Sequence, residues 1–219
     1  MTSKLTLYSY WRSSAAYRVR IALNLKRLPH DIVSVDLRGD GEQHGEEFRG
    51  VNPQELVPVL RDGQRLIRQS MAIIEYLDEV WPDPPLMPTT PRERARVRGL
   101  AQAIACDVHP LANLRVLQFF EREWNVPATE RDAWVRRWIT LGLSAFETLL
   151  VESPSTGTFC EGDAPTLADC VLAPQVYNAQ RFGVELAPYP TIRRIVAECL
   201  ALDAFDAARP ERQADAPAH

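Results

Sequence analysis

Five prolines fall within the ten residues 82–91. Proline fixes its own φ angle and has no N–H to donate, so neither a regular helix nor an inner strand can run through this segment. We therefore predict a linker over residues 83–91, with one domain over 1–82 and a second over 92–219. A chain of 219 residues is long enough for two such domains.

The part before the linker begins with a strand, a loop and a helix. Residues 5–8 form a short β-prone run that leads into two serines, and residues 17–28 have the apolar spacing of an amphipathic helix. Residues 32–35 are typical of a second strand, and the connection is long enough to make the two strands parallel. On the helix, a polar stripe lies beside the apolar one and consists of Arg20, Asn24 and Arg27.

A hairpin and a helix complete this first domain. The β-prone runs 57–60 and 65–67 flank Asp62 and Gly63, a dipeptide that favours a tight turn, so these two strands should be antiparallel. Ser70 precedes an apolar helical pattern and should cap its N-terminus. The predicted order of elements is βαβ followed by ββα.

The part after the linker has helical periodicity and little strand signal. Helices are expected over 92–119, 130–150, 167–180 and 191–202. Residues 166–169 have the form of a capping box with a structural role, and the Ala- and Pro-rich tail 209–219 is expected to fray. The fold class is thus α/β in the first domain and all-α in the second.

Composition limits the classes of partner. A net charge of −4, from 29 acidic and 25 basic residues, gives no overall field for nucleic acid or anionic membrane. No apolar run reaches the roughly 18–20 residues of a membrane helix, and the N-terminus has no signal-like core, so we expect a cytoplasmic protein. The four cysteines have no metal-ligand spacing and should be reduced, so no metal site is expected.

Three short segments carry polar groups suited to a ligand. Ser13 and Ser14 stand at a helix N-terminus, where unsatisfied N–H groups and the helix dipole stabilise an anion such as a thiolate; the alternative is a plain N-cap. A cis bond between Val57 and Pro58 would leave the Val57 main chain free to pair with a peptide ligand, whereas trans is the common state. The third segment, residues 69–70, suits a carboxylate or a simple cap.

Taken together, these residues resemble the zeta class of glutathione transferases. The resemblance implies a thioredoxin-like domain followed by a helical glutathione-transferase domain, glutathione as cofactor, and a homodimer. It covers nearly the whole chain in order, through 8–14 (YSYWRSS), 18–23 (RVRIAL), 52–53 (NP), 57–58 (VP), 69–70 (QS), 73–77 (IIEYL), 166–169 (TLAD) and 188–191 (PYPT).

The resemblance also implies a glutathione site. Ser13 matches the serine that hydrogen-bonds the glutathione thiolate, and Ser14 lies beside it. Ala15 departs from the family, which commonly has cysteine there, so any auxiliary role of that thiol is absent. The further contacts it implies are the main chain of Val57 before Pro58, the side chains of Gln69 and Ser70 at the γ-glutamyl end, and either His44 or Gln43.

Residues 106–115 resemble the substrate-facing helix of the zeta isomerases, whose substrates are dianionic. A planar guanidinium can grip a carboxylate at two points, so Arg12, Arg115 and Arg181 are the candidate substrate-binding residues. The resemblance favours the first two most, and the alternative for any one of them is a solvated surface charge. His109 and Asn113 are candidate glutathione contacts in the same helix. The alternatives for His109 are that it positions the substrate or, equally, that it has a structural role.

The activity implied is a glutathione-dependent cis-trans isomerisation of a maleyl dicarboxylate. The first candidate substrate is maleylacetoacetate, from aromatic amino acid breakdown, and its alternative is maleylpyruvate, from gentisate breakdown. Conjugation or dehalogenation of small electrophilic acids is a further alternative. A non-catalytic binding module would be expected to lose Ser13 or the Val57-Pro58 pair, and a thiol-disulfide oxidoreductase would need a cysteine at the first helix.

Overall fold

The structure is a computed structural model that describes residues 4–39 and 41–217. The chain forms two compact units: the first joins the residues up to Met87 with those from Ala201 onward, and the second is Pro88–Leu200. The predicted boundaries, 1–82 and 92–219, stay a prediction. The observed grouping differs from them in assigning residues 201–217 to the first unit.

A four-stranded sheet forms the centre of the first unit. Its strands lie in the order β2-β1-β3-β4, with β1 parallel to β2 and antiparallel to β3, and with β3 antiparallel to β4. The predicted strand directions are therefore confirmed. The strands are β1 (Leu5–Ser9), β2 (His30–Ser34), β3 (Val59–Asp62) and β4 (Arg65–Arg68).

In the described residues, the α-helices that accompany this sheet are α1 (Ser14–Leu25), α2 (Glu46–Val51), α3 (Ser70–Val80) and α9 (Asp203–Asp206). The apolar faces of α1 and α3 meet the sheet, and Leu7, Ile21 and Ile73 are fully buried. Ser70 is the first helical residue of α3, and the N-cap position belongs to Gln69. The prediction that Ser70 caps this helix is therefore wrong.

The polar stripe of α1 contacts the end of the chain. Arg20 is only 1% exposed, and its Nε donates to the carbonyl of Ala208 at 3.0 Å. The Asn24 amide likewise donates to the carbonyl of Ala204 at 3.0 Å. Ala208 and Pro210 are buried, and Asp215 accepts hydrogen bonds from Trp11 and Ser34, so the tail contacts the first unit at these points and is not frayed there. Residues 218 and 219 lie outside the described chain.

The described part of the second unit is helical, as predicted. The expected helix over 92–119 is interrupted after Ala105, because Pro110 cannot continue the hydrogen-bond ladder, and a 3₁₀ turn, His109–Ala112, intervenes. No helix in residues 4–39 or 41–217 is both long and apolar enough to cross a membrane. The helices are α4 (Pro91–Ala105), α5 (Leu114–Arg122), α6 (Ala128–Val151), α7 (Leu167–Arg181) and α8 (Pro190–Leu200).

The capping box at the start of α7 is present. The Asp169 carboxylate accepts from the N–H and the hydroxyl of Thr166 at 2.8 Å each, and from the N–H of Cys160 at 2.9 Å. Asp169 is fully buried, and burial is the main cause that raises its pKa. This carboxylate therefore fixes both the start of α7 and the loop before it.

Candidate active site

The segments predicted to contact glutathione in the first unit meet at one end of the sheet. Tyr8 pairs with Val59, which pairs in turn with Arg68. Because neighbouring strands lie about 4.8 Å apart, the end of β1, the start of β3 and the end of β4 are next to one another. The residues brought together there are Ser13, Ser14, Val57, Pro58, Gln69 and Ser70. The segment that carries Gln43 and His44 leaves β2 at the same end.

Ser13 is the N-cap of α1. Its N–H donates to the carbonyl of Tyr10 at 3.0 Å, which closes a turn over residues 10–13, and its Oγ accepts from the N–H of Ala16 at 3.2 Å. The predicted cap is thus present. Since the hydroxyl serves only as an acceptor in this cap, its own hydrogen can still be donated to an anion at the positive end of α1.

Val57 lies just before β3, and the bond from Val57 to Pro58 is cis. In the described part of the chain, neither the N–H nor the carbonyl of Val57 makes a hydrogen bond to another residue. An extended peptide could therefore pair with both groups.

Gln69 and Ser70 begin α3 with a buried cation behind them. Gln69 has a positive φ of 73° and donates through Nε2 to Gln54 at 2.9 Å. The Ser70 hydroxyl accepts from Nη1 of Arg18 at 3.2 Å, and Arg18 is 2% exposed. A guanidinium at this helix N-terminus adds positive charge where a carboxylate would bind. Arg18 was not among the predicted site residues, although an arginine within the apolar run 16–23 was a usable signal.

His44 belongs to a polar cluster after β2. Its Nδ1 contacts the carboxylate of Glu55, which also accepts from Nε of Arg49 at 2.7 Å. These hydrogen bonds, that of His44 first, lower the pKa of Glu55. Gln43 is 4% exposed, whereas the His44 side chain is 43% exposed. Of the two alternatives, His44 is the more accessible to a ligand.

The three candidate arginines stand at exposed positions. Arg12 follows Trp11 in the turn of the first unit, and its guanidinium lies 5.6 Å from the centre of the Trp11 ring. Arg115 is the second residue of α5, and Arg181 is the last residue of α7, 4.6 Å from the ring centre of Phe182.

His109 and Asn113 also belong to the second unit. His109 begins the 3₁₀ turn before α5, and Asn113 is the N-cap of α5, where its Oδ1 accepts from the N–H of Arg115 at 3.2 Å. Asn113 therefore has a structural use whatever else it contacts. Its assignment to glutathione, like that of His109, stays a prediction.

The chain's own thiols all belong to the second unit, and three of the four are buried. Cys160, Cys170 and Cys199 are buried and free, and burial raises the pKa of Cys160 and of Cys199 well above the usual range. Cys106 is exposed and lies just after α4. Because no cysteine belongs to the first unit, that unit supplies no thiol of its own to the Ser13 turn.

Comparisons with known proteins give one consistent answer. Residues 12–80 match the model of the glutathione S-transferase N-terminal domain. The chain is 49% identical to a probable maleylacetoacetate isomerase of Vibrio cholerae, over 97% of this chain and 98% of that one.

Two solved structures are similar over nearly the whole chain. One is a holo maleylpyruvate isomerase, a bacterial glutathione S-transferase of the zeta class. The other is a maleylacetoacetate isomerase of Methylobacterium extorquens AM1 with bound malonate and glutathione. Each has a TM-score of 0.94 and 45% identity, over 97% of this chain and all of the other.

The chain belongs to the zeta class of the glutathione transferases. The resemblance found in the sequence is thereby confirmed, as are the thioredoxin-like first domain, the helical second domain and the use of glutathione by this family.

Proposed function

We propose that this protein catalyses the glutathione-dependent isomerisation of maleylacetoacetate to fumarylacetoacetate. The proposal depends most on Ser13. It is the N-cap of α1, and its hydroxyl hydrogen can still be donated to an anion. It lies at the end of the sheet where Val57 and Ser70 also lie. The likeness to maleylacetoacetate isomerases over the whole chain supports this choice of reaction.

The reaction needs a thiolate that adds and then leaves. The glutathione sulfur attacks one carbon of the cis double bond, and the electron pair of that bond moves onto the conjugated carbonyl oxygen as an enolate. The former double bond is now single and rotates. The electron pair then returns, re-forms the double bond as trans and expels the thiolate, so that glutathione is regenerated.

Ser13 and α1 stabilise the attacking thiolate. The Ser13 hydroxyl donates to the sulfur, and the positive end of the helix dipole lowers the thiol pKa, so more glutathione is ionised at neutral pH. Ser14, the first residue of α1, adds a second hydroxyl beside it. Since Ala15 has no thiol, catalysis rests on the hydroxyls and on glutathione itself.

The rest of glutathione is assigned to the neighbouring segments. The main chain of Val57, before Pro58, pairs with the cysteinyl backbone of glutathione as an added strand would. Gln69 and Ser70, with Arg18 behind them, bind the γ-glutamyl carboxylate. The remaining proposed contacts are His44, His109 and Asn113.

The substrate carboxylates are assigned to arginine. Arg12, Arg115 and Arg181 are exposed and offer the planar donor pair that matches a carboxylate. If they serve this purpose, replacing each by methionine raises the KM for the dicarboxylate and leaves the KM for glutathione nearly unchanged. Unchanged substrate kinetics in all three variants would remove the assignment.

Maleylpyruvate is the second candidate substrate. A solved maleylpyruvate isomerase of the zeta class is as similar to this chain, at 45% identity, as the solved maleylacetoacetate isomerase. Both substrates present a cis-enedione flanked by carboxylates, so the same chemistry serves either one.

A side-by-side assay tests the proposal. Wild-type protein is given each substrate with and without glutathione, and loss of the cis isomer is followed by absorbance. Replacing Ser13 by alanine should lower kcat roughly 100-fold, as expected for removing one donor to a developing anion. Thr90→Ala removes a capping hydroxyl at α4 in the same way and should leave kcat unchanged. Failure on both substrates, or full activity without glutathione, would refute the proposal.

We further propose that the protein acts as a homodimer in the cytoplasm. The family resemblance supports the dimer, and so do exposed apolar side chains on α6, namely Leu141, Leu149 and Val151, which a second copy could cover. The four free cysteines are typical of a reducing compartment. Analytical ultracentrifugation should give twice the mass of the chain, and a monomer at assay concentrations would contradict the dimer.

A further inference from the structure

The end of the chain contacts the turn that presents Ser13. We call residues 10–13 the active-site turn and residues 201–217 the C-terminal segment. The N–H of Trp11 donates to Oδ2 of Asp215 at 2.9 Å, and the hydroxyl of Ser34 donates to the same oxygen at 2.8 Å. Asp215 thus joins the turn after β1 to the end of β2.

Arg20 makes a second connection between the same two parts. It donates to the carbonyls of Tyr10 and Trp11, at 3.3 and 2.9 Å, and to the carbonyl of Ala208 in the C-terminal segment at 3.0 Å. The main chain of Trp11 is therefore held at its carbonyl by Arg20 and at its N–H by Asp215.

We propose that Asp215 is a positioning residue for catalysis, which fixes the active-site turn so that the Ser13 hydroxyl points at the glutathione thiolate. This inference rests on the proposed function. Without Asp215, the carbonyls of residues 10 and 11 keep their bonds to Arg20, but the N–H of Trp11 loses its acceptor, so the peptide between Tyr10 and Trp11 is held at its carbonyl alone and can tilt. Ser13 is tied to that peptide through Tyr10, so its hydroxyl loses alignment.

The sign of one pKa change separates positioning from charge. A negative charge beside the turn disfavours a thiolate, so removing that charge alone would lower the thiol pKa of bound glutathione. Losing the alignment of Ser13 would raise that pKa instead. Asparagine keeps an oxygen that can accept from Trp11 without the charge, whereas alanine loses both the oxygen and the charge.

The experiment compares three variants with the wild type: Asp215→Ala, Asp215→Asn and Asp206→Ala. Asp206 is the matched control, because it lies in the same C-terminal segment and its carboxylate forms surface ion pairs with Arg209 and Arg212. The thiolate absorbance of bound glutathione is titrated against pH, and kcat and KM are measured for the isomerisation. Thermal unfolding establishes that each variant is folded at the assay temperature.

The expected result is a raised thiol pKa and a roughly three- to tenfold lower kcat in Asp215→Ala, the size expected when the net contribution of one typical hydrogen bond is lost. Asp215→Asn should stay close to wild type, with a thiol pKa that is unchanged or lower, and Asp206→Ala should not differ from wild type.

Two results would overturn the inference. The first is wild-type kcat and thiol pKa in Asp215→Ala. The second is a loss in Asp206→Ala as large as that in Asp215→Ala, since the effect would then belong to net charge. If Asp215→Ala does not fold, two other variants serve as the test. Ser34→Ala removes the second donor to Asp215, and Asp215→Asn keeps an acceptor for Trp11. Wild-type kinetics in the first together with impaired kinetics in the second would also overturn the inference. A wild-type protein that neither ionises glutathione nor isomerises either substrate would instead refute the proposed function.

Discussion

Arg20 illustrates how one residue can have a different role from the one its local pattern indicates. The periodicity of α1 puts it on a polar stripe with Asn24 and Arg27, a stripe normally turned to water. In the structure it is fully buried and its guanidinium lies 5.4 Å from the ring centre of Tyr17. Its backbone partner Ala208 is 188 residues away in sequence, and a local pattern contains no information about such a contact.

The same reason explains which candidate site residues a sequence pattern could predict and which it could not. Ser13, Val57 and Ser70 stand next to signals that a short window contains: a helix start, a proline and a strand end. Arg18 and Asp215 act through partners 52 and 204 residues away. The predicted site therefore contained the groups assigned to the ligand and lacked the groups that hold them.

The hydroxyl of Tyr76 forms a hydrogen bond whose contribution to stability should depend on pH. This hydroxyl donates to the carboxylate of Asp62 at 2.5 Å, and this hydrogen bond is the main cause that raises the pKa of Tyr76. The fold favours the neutral phenol, so the stabilisation is complete below the unfolded pKa of about 10 and is lost as the pH rises through the raised value.

Replacing Tyr76 by phenylalanine should lower the free energy of unfolding by about 1 kcal/mol at neutral pH, the net worth of one hydrogen bond. The difference from wild type should shrink in alkaline solution. Urea unfolding at several pH values measures both. A difference that stays constant across the alkaline range would contradict the account of this hydrogen bond.

Among the elements, the strands, the hairpin and most helices were predictable because their signals are local. The hairpin turn at Gly63 needs a positive φ, here 58°, and the sequence supplies glycine there. The helix expected over 92–119 was predicted as one element because apolar spacing continues across its interruption. Pro110 marks that interruption, and the proline outweighs the periodicity.

The stability of the start of α7 should depend on Asp169. Asp169 accepts three hydrogen bonds in a fully buried position, so Asp169→Ala leaves two main-chain N–H groups without their acceptor. We expect the free energy of unfolding to fall by about 3 kcal/mol. Asp132 lies exposed on α6 and is the matched control, which should change stability by less than about 0.5 kcal/mol. Circular dichroism during urea unfolding follows both, and equal losses would refute a special role for Asp169.

At the scale of the whole molecule, the order of the elements determines where chemistry can occur. The parallel and antiparallel pairings bring the ends of β1, β2 and β4 and the start of β3 to the same end of the sheet. Ligands of open α/β sheets bind at the carboxyl ends of the strands. The first unit also includes the C-terminal segment. We still propose an N-terminal and a C-terminal domain. The C-terminal segment packs with the N-terminal one as part of the first unit.

In the proposed reaction glutathione is a nucleophile that is regenerated in every cycle, and this can be measured directly. Maleylacetoacetate is supplied in large excess over glutathione, and both the trans product and the free thiol are measured over time. We expect many molecules of trans product for each molecule of glutathione, and the concentration of free glutathione thiol should be unchanged once the reaction is complete. Consumption of one glutathione per product, or product formation at the same rate without glutathione, would contradict it.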